Sequence, residues 1–157
     1  SRYMTLVSPD MRVWYEEKKG EGSKWNPKSA WAKWDEYFKP VKTFGEFKQD
    51  SNAVSVVVTE TNNFFKLIDR KPAPVQLTWW FNKEQKIEGC LVKSMADSTH
   101  TDRLIEFAEW AKKNNSAELE YLMPGGNISP DGDRPQRWEK ILMEWRRNAD
   151  LQLPAEK

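Results

Sequence analysis

Residues 53–61 read AVSVVVTET, and the run alternates, with Val54, Val56, Val58 and Glu60 on one side and Ser55, Val57, Thr59 and Thr61 on the other. β-Branched residues at a period of two predict an extended strand with one apolar face. Upstream lies TFGEFKQD (43–50), separated from it by the turn-forming triplet Asp50-Ser51-Asn52, so the pair predicts an antiparallel hairpin. Downstream, PVQLTWWFN (74–82) and KIEGCLVKS (86–94) flank Lys83-Glu84-Gln85 and predict a second hairpin. Between the hairpins, NNFFKLIDRKPAP (62–74) is a short helical or irregular connection. Pro72 and Pro74 keep it from running into the next strand. MRVWYEEK (11–18), ahead of the turn-rich KGEGSK, adds a first strand.

Helical spacing appears on both sides of this sheet. Asn26 is a suitable N-cap with Pro27 at the first helical position, and Ala30, Trp31, Trp34, Tyr37 and Phe38 follow at spacings of three and four until Pro40. TDRLIEFAEWAKK (101–113) predicts a helix capped by Thr101, with Leu104, Ile105, Phe107, Ala108 and Ala111 on one stripe. SAELEYL (116–122) is a further helical turn, PGGNISPDGD (124–133) is a loop, and Pro135 opens a last helix carrying Trp138, Ile141, Leu142 and Trp145. No repeat, low-complexity run or long linker divides the chain. The expectation is one α+β domain over 1–157, with a helical extension from about residue 100.

Composition narrows the function. The chain has 157 residues with 25 Lys plus Arg against 24 Asp plus Glu, a net charge of +1 that supplies no cationic surface for nucleic acid. No run approaches the roughly 20 apolar residues of a membrane-spanning helix. One cysteine and one histidine exclude an internal disulfide and argue against a zinc site, and no cofactor or metal is expected. The start, SRYMTLVSPD, has neither a basic leader nor an apolar run and does not begin with Met, which fits a processed or trimmed chain. Lack of disulfides suits the cytoplasm, and a periplasmic or lipid-anchored protein stripped of its leader remains open. Nine tryptophans are the unusual number.

Together LVSPDMRVWY, PKSAWAKWDEYF, VVVTETNNFFKLI and LTWWFNKEQKIEGCLV, over about residues 6–95, resemble the nuclear transport factor 2-like superfamily, and within it the SnoaL-like group. The resemblance implies a strongly bent antiparallel sheet forming a cone around a helix, with an apolar ligand-binding pocket between them. Such proteins usually begin with a helix that lids the cone, whereas here residues 1–7 alone precede the first strand. They often end at the last strand, whereas this chain adds about two helices. Either a first helix is missing or the C-terminal helices cover the sheet instead. Carried onto this chain, the pocket side would hold Tyr15, Val56, Val58, Glu60, Leu77, Trp79, Cys90 and Val92, with Trp31, Trp34 and Phe38 on the covering helix. A slip of one residue in any strand would exchange its two faces.

Each candidate has a plain structural reading beside the functional one. The tryptophans are core, or a stacking surface for a flat or sugar-like ligand. Glu60 either points into the cavity with the valines or has reached the solvent-exposed strand end. In the cavity it would need a partner such as Tyr15 or a Trp N–H and would set ligand selectivity. Cys90 is a small buried apolar residue unless a base adjoins it, and His100 is a surface or capping residue. Glu16 and Glu17 are a solvated strand end, and Asp131 and Asp133 match calcium ligands faintly. The catalytic sets of the ketosteroid-isomerase-like and epoxide-opening relatives do not transfer: Trp14 or Tyr15 and Leu77 fall where their acids stand, and no Arg lies in a predicted strand from 43 to 94.

Two function classes follow. One is a domain that binds a small apolar or aromatic ligand, or another protein chain, through a Trp-lined pocket. The alternative is an isomerase, cyclase or hydrolase using a pocket carboxylate, and carbohydrate binding ranks third. An uncovered patch at Trp80, Ile87 and Leu91 predicts a homodimer.

Overall fold

The computed structural model describes residues 6–15, 22–95 and 102–149. Two compact units interleave along the chain. Residues 1–27, 42–60 and 73–99 form one, and residues 28–41, 61–72 and 100–157 form the other.

The first unit is a sheet of seven strands, bent and unclosed. These are β1 (Val7–Tyr15), β2 (Ser23–Lys24), β3 (Val41–Phe44), β4 (Lys48–Asp50), β5 (Ala53–Thr61), β6 (Ala73–Phe81) and β7 (Ile87–Ser94). Their order is β2-β1-β7-β6-β5-β3, with β4 also paired to β5. The two expected hairpins form. Ser51, with φ of 53°, turns the first, and the Asn82 carboxamide oxygen pins the second by accepting from the amides of Glu84 and Lys86 at 2.9 and 3.0 Å. TFGEFKQD does not make one strand. Its middle leaves the ladder at Gly45, whose amide donates to the Val57 carbonyl at 2.8 Å. The sheet also departs from a purely antiparallel plan, because β1 runs parallel to β7.

Register assigns the faces. Val56, Leu77, Val92 and Tyr15 lie in one row across four strands, and Val54, Trp79, Cys90 and Val13 in the next row on the same face. Val56 and Val58 are buried there, as are Met11 and Cys90. The opposite face carries Ala53, Trp80, Gly89 and Arg12, then Ser55, Thr78, Leu91 and Trp14.

The second unit is helical: α1 (Ala30–Phe38), α2 (Asn63–Leu67), α3 (Leu104–Asn114), α4 (Ser116–Leu122) and α5 (Arg134–Asn148), with a short 3-10 turn at Pro124–Gly126. α1 starts later than Asn26 and Pro27 suggest. Pro27 and Lys28 form a turn, and Ser29 is the cap, its hydroxyl accepting from the Ala32 amide at 3.3 Å. Asn62 caps α2 in the same way through Phe65 N, at 2.8 Å. Thr101 and His100 lie outside the described residues; Asp102 accepts from the Leu104 amide at the start of α3.

One aromatic cluster fills this unit. Trp34 packs on Phe38 and Phe64 at centroid distances of 4.6 and 4.9 Å, and Phe64 meets Trp138 at 5.3 Å. Phe107, Leu122, Ile141, Leu142 and Trp145 complete the cluster. Three of the nine tryptophans, Trp34, Trp138 and Trp145, are thus accounted for by ordinary hydrophobic burial. Asp131 and Asp133 act in local bonding, accepting from Ser129 Oγ at 3.3 Å and Tyr121 OH at 2.7 Å. No described helix is long and apolar enough to cross a membrane.

Candidate ligand groove

Trp14 and Trp80 stand on the same sheet face but on strands that are not neighbours. β7 runs between them, and at the crossing it offers Gly89. A Cβ built there would sit 2.9 Å from both Trp14 Cζ3 and Trp80 Cε3, closer than real Cβ contacts allow. Glycine is thus what lets the two indoles meet over the strand, edge to face, with centroids 6.0 Å apart and planes at 89°. Gly22 holds the other edge of Trp14: its own Cβ would fall 2.6 Å from Trp14 Nε1, and its φ of +69° suits glycine.

Two irregularities in the ladders open a groove beside the indoles. Between β6 and β7, Trp80 pairs with Gly89 but Phe81 pairs with Ile87, leaving Glu88 as a bulge. Between β1 and β7, Val7 pairs with Ile87 and Arg12 with Gly89, so Ser8, Pro9, Asp10 and Met11 oppose Glu88 alone. The extra residues push polar side chains to the rim. The result is an open groove of about 630 Å³ lined by Ser8, Asp10, Trp14, Trp80, Glu88 and Gly89.

Its charged lining is two carboxylates. Asp10 Oδ1 receives Lys24 Nζ at 3.2 Å, with side chains 90% and 65% exposed, so water largely screens that pair. The Arg12 guanidinium donates to the Gly22 carbonyl at 3.2 Å. The groove can stack a ring, accept hydrogen bonds and place negative charge beside it.

The residues expected to line a pocket are not among those that line this groove. Tyr15, Val58, Glu60, Leu77, Trp79 and Cys90 share the face opposite Trp80, while Trp31 and Trp34 belong to the helical unit. Trp34 is buried in the aromatic cluster, whereas Trp31 is 52% exposed and meets Trp34 edge-on. Tyr15 does not serve as the expected partner of Glu60. Three strand spacings separate them, about 14 Å, and the Glu60 carboxylate instead meets Lys42 Nζ at 3.3 Å. Burial pushes the Cys90 thiol up to about 11, which keeps it protonated and unreactive near neutral pH. Glu16 and Glu17 lie outside the described residues. Among the described residues no cluster of His, Cys, Asp and Glu could hold a metal ion.

Trp14, Trp80, Asp10, Glu88 and Gly89 were not singled out as site residues by the sequence. Two signals point to them. Adjacent Trp79 and Trp80 on one strand must send one indole to each face, and a glycine inside the strand IEGCLV marks a bulge or a close approach.

No family model matches the chain. No curated protein matches it either. Solved structures do. A candidate polyketide cyclase from Sinorhizobium meliloti is similar at 14% identity, over 56% of this chain and 75% of the other, with a TM-score of 0.41. A candidate isomerase of the SnoaL-like family from Agrobacterium tumefaciens gives 12% identity, 60% and 78% coverage and a TM-score of 0.43. A nuclear transport factor 2-like protein of unknown function from Cytophaga hutchinsonii gives 13%, 57% and 70%, and 0.39. At such identities no residue's role passes from these structures to this chain.

Proposed function

We propose that the protein is a small-ligand-binding domain whose site is the Trp14–Trp80 groove. The observation that carries this reading is the pair of indoles converging over Gly89, where a methyl group would not fit. Rings gain most from such a surface, because an indole face buries a large apolar area with little loss of side-chain freedom. Catalysis is the weaker alternative. Cys90 holds its proton to about pH 11 and is on the other face, which leaves no activated nucleophile among the groove residues.

The test is two-dimensional NMR of the indole N–H resonances, assigned by single Trp→Phe variants, during titration with a panel of aromatic and saccharide fragments. Selective, saturable shifts of Trp14 and Trp80, lost in Gly89→Ala, are expected. Fragments that shift only Trp79 would move the site to the opposite face.

A second reading has its own observation. Phe44 and Phe47 stack at 6.1 Å while 51% and 58% exposed, at the end of the sheet where β3 adjoins β5. Exposed aromatic pairs mark protein contacts. We propose a second copy of the chain as that partner. Sedimentation should show a dimer that Phe44→Ser with Phe47→Ser dissociates, and a monomer at high concentration would remove the reading.

A further inference from the structure

Resting on the assignment of the groove as a ligand site, we infer that its ligand carries an organic ammonium group seated between the Trp14 and Trp80 indoles and the carboxylates of Asp10 and Glu88. The argument is one of charge complementarity. Among the described residues the groove lining has two carboxylates and no cationic side chain, which disfavours anions and favours a positive group. The indole faces add to this in the same direction, because the π quadrupole attracts cations and tryptophan is the strongest of the aromatic rings in doing so. Because the two indoles already meet edge to face, with centroids 6.0 Å apart, a flat ring cannot stack on both at once.

The nearest positive groups do not close the site. Lys24 reaches Asp10 from the far strand β2 with its side chain 65% exposed, and Arg12 turns toward the Gly22 carbonyl. Lys24 therefore competes for one carboxylate, and Glu88, raised on its bulge, is the better placed of the two to face an incoming cation. An ammonium carrying methyl or methylene groups satisfies both halves of the lining at once. A bare metal ion would leave the indoles unused, and an uncharged ring would leave Glu88 without a counter-charge among the described groove residues.

Choline and its uncharged carbon isostere, 3,3-dimethylbutan-1-ol, separate charge from shape. Titrated into the full chain and followed by indole NMR, choline should shift Trp14 and Trp80 saturably, and the isostere should bind at least about fivefold more weakly. Glu88→Gln should weaken choline binding by a similar factor and leave the isostere unchanged. A peptide bearing trimethyllysine, run alongside, shows whether the ammonium group is recognised on a free molecule or on a side chain. Equal binding of choline and the isostere would overturn the ammonium assignment while leaving the groove as a ligand site. Shifts by uncharged fragments alone would do the same. If choline, isostere and fragments all leave Trp14 and Trp80 unmoved, both readings fall.

Discussion

Arg146 Nη1 donates both to Asp69 Oδ1 and to the Leu67 carbonyl, each at 3.0 Å. The guanidinium is 4% exposed, so α5 carries a charge inside the helical unit that the residues just after α2 must neutralise. Asp69 adopts a left-handed φ of 51°, which an aspartate tolerates better than most residues, and it also faces Arg103 Nη1 at 3.6 Å.

Asp69→Asn keeps the shape and the backbone preference but removes the counter-charge. Leaving Arg146 buried without it should cost about 3 kcal/mol, read as a lower denaturant midpoint at unchanged slope. Adding Arg146→Met should recover much of the loss, since the orphaned charge goes too. A single variant as stable as the parent would show that other groups already balance Arg146.

Gly89→Ala inserts one methyl between two indoles. Overpacking of that kind costs about 1–3 kcal/mol, and the rings must also part. We expect a folded protein with a lower melting temperature and altered indole resonances for Trp14 and Trp80, with the other tryptophans little changed.

Glu60→Gln tests the residue that the alternating valines single out. Its ion pair with Lys42 is partly exposed, at 28% and 43% for the two side chains. Loss of such a pair changes stability by less than about 1 kcal/mol. Ligand binding in the Trp14–Trp80 groove should be unaffected, as measured by the same NMR titration. A large loss of binding would return the site to the Val56 face.

Cys90 should resist thiol reagents at pH 8 in the native state and react once the chain is unfolded in denaturant. Burial lifts its pKa from 9.0 to about 11, so between those values the unfolded chain ionises while the folded one stays neutral. Folding stability attributable to this thiol is full below pH 9 and declines as pH rises toward 11. Cys90→Ala should flatten that part of the stability profile.

Tyr37 should hold its phenolic proton well beyond the ordinary tyrosine range. It donates a short hydrogen bond to the Glu139 carboxylate, and that bond, with burial and the nearby charge, pushes its pKa up to about 12. Tyr121 is also raised, chiefly by its bond to Asp133. Tyrosinate absorbance followed through an alkaline titration should lose a component near pH 12 in Tyr37→Phe, and stability should fall as pH climbs from 10 toward 12.

The strands were legible because their signal is local. Val54, Val56 and Val58 alternate, and the observed pairing sets Leu77, Val92 and Tyr15 in register with Val56. Helix spacing was legible too, although a stripe such as Trp31, Trp34 and Phe38 cannot say which partner it packs against. Here Trp34 and Phe38 face Phe64, whose place in the helical unit depends on α5 about 70 residues later. The groove was hidden for a sharper reason. It exists because β1 pairs parallel with β7 and both strands bulge at one point, a coincidence between residues 8–11 and 88 that no local pattern records.

The interleaving of the two units has a consequence for how the chain is made. Every described strand precedes α3 in the chain, so the strands emerge from the ribosome before α3 to α5 do. So do α1 and α2. Trp34, Phe38, Phe64 and Ile68 share one core cluster with residues of α3 to α5, the last of which ends at Asn148. A chain truncated near residue 100 therefore keeps these four large apolar side chains without the α3 to α5 residues of their cluster, a segment suited to chaperone capture. Neither unit is contiguous, so cutting the gene at any point between α1 and α5 breaks the helical core.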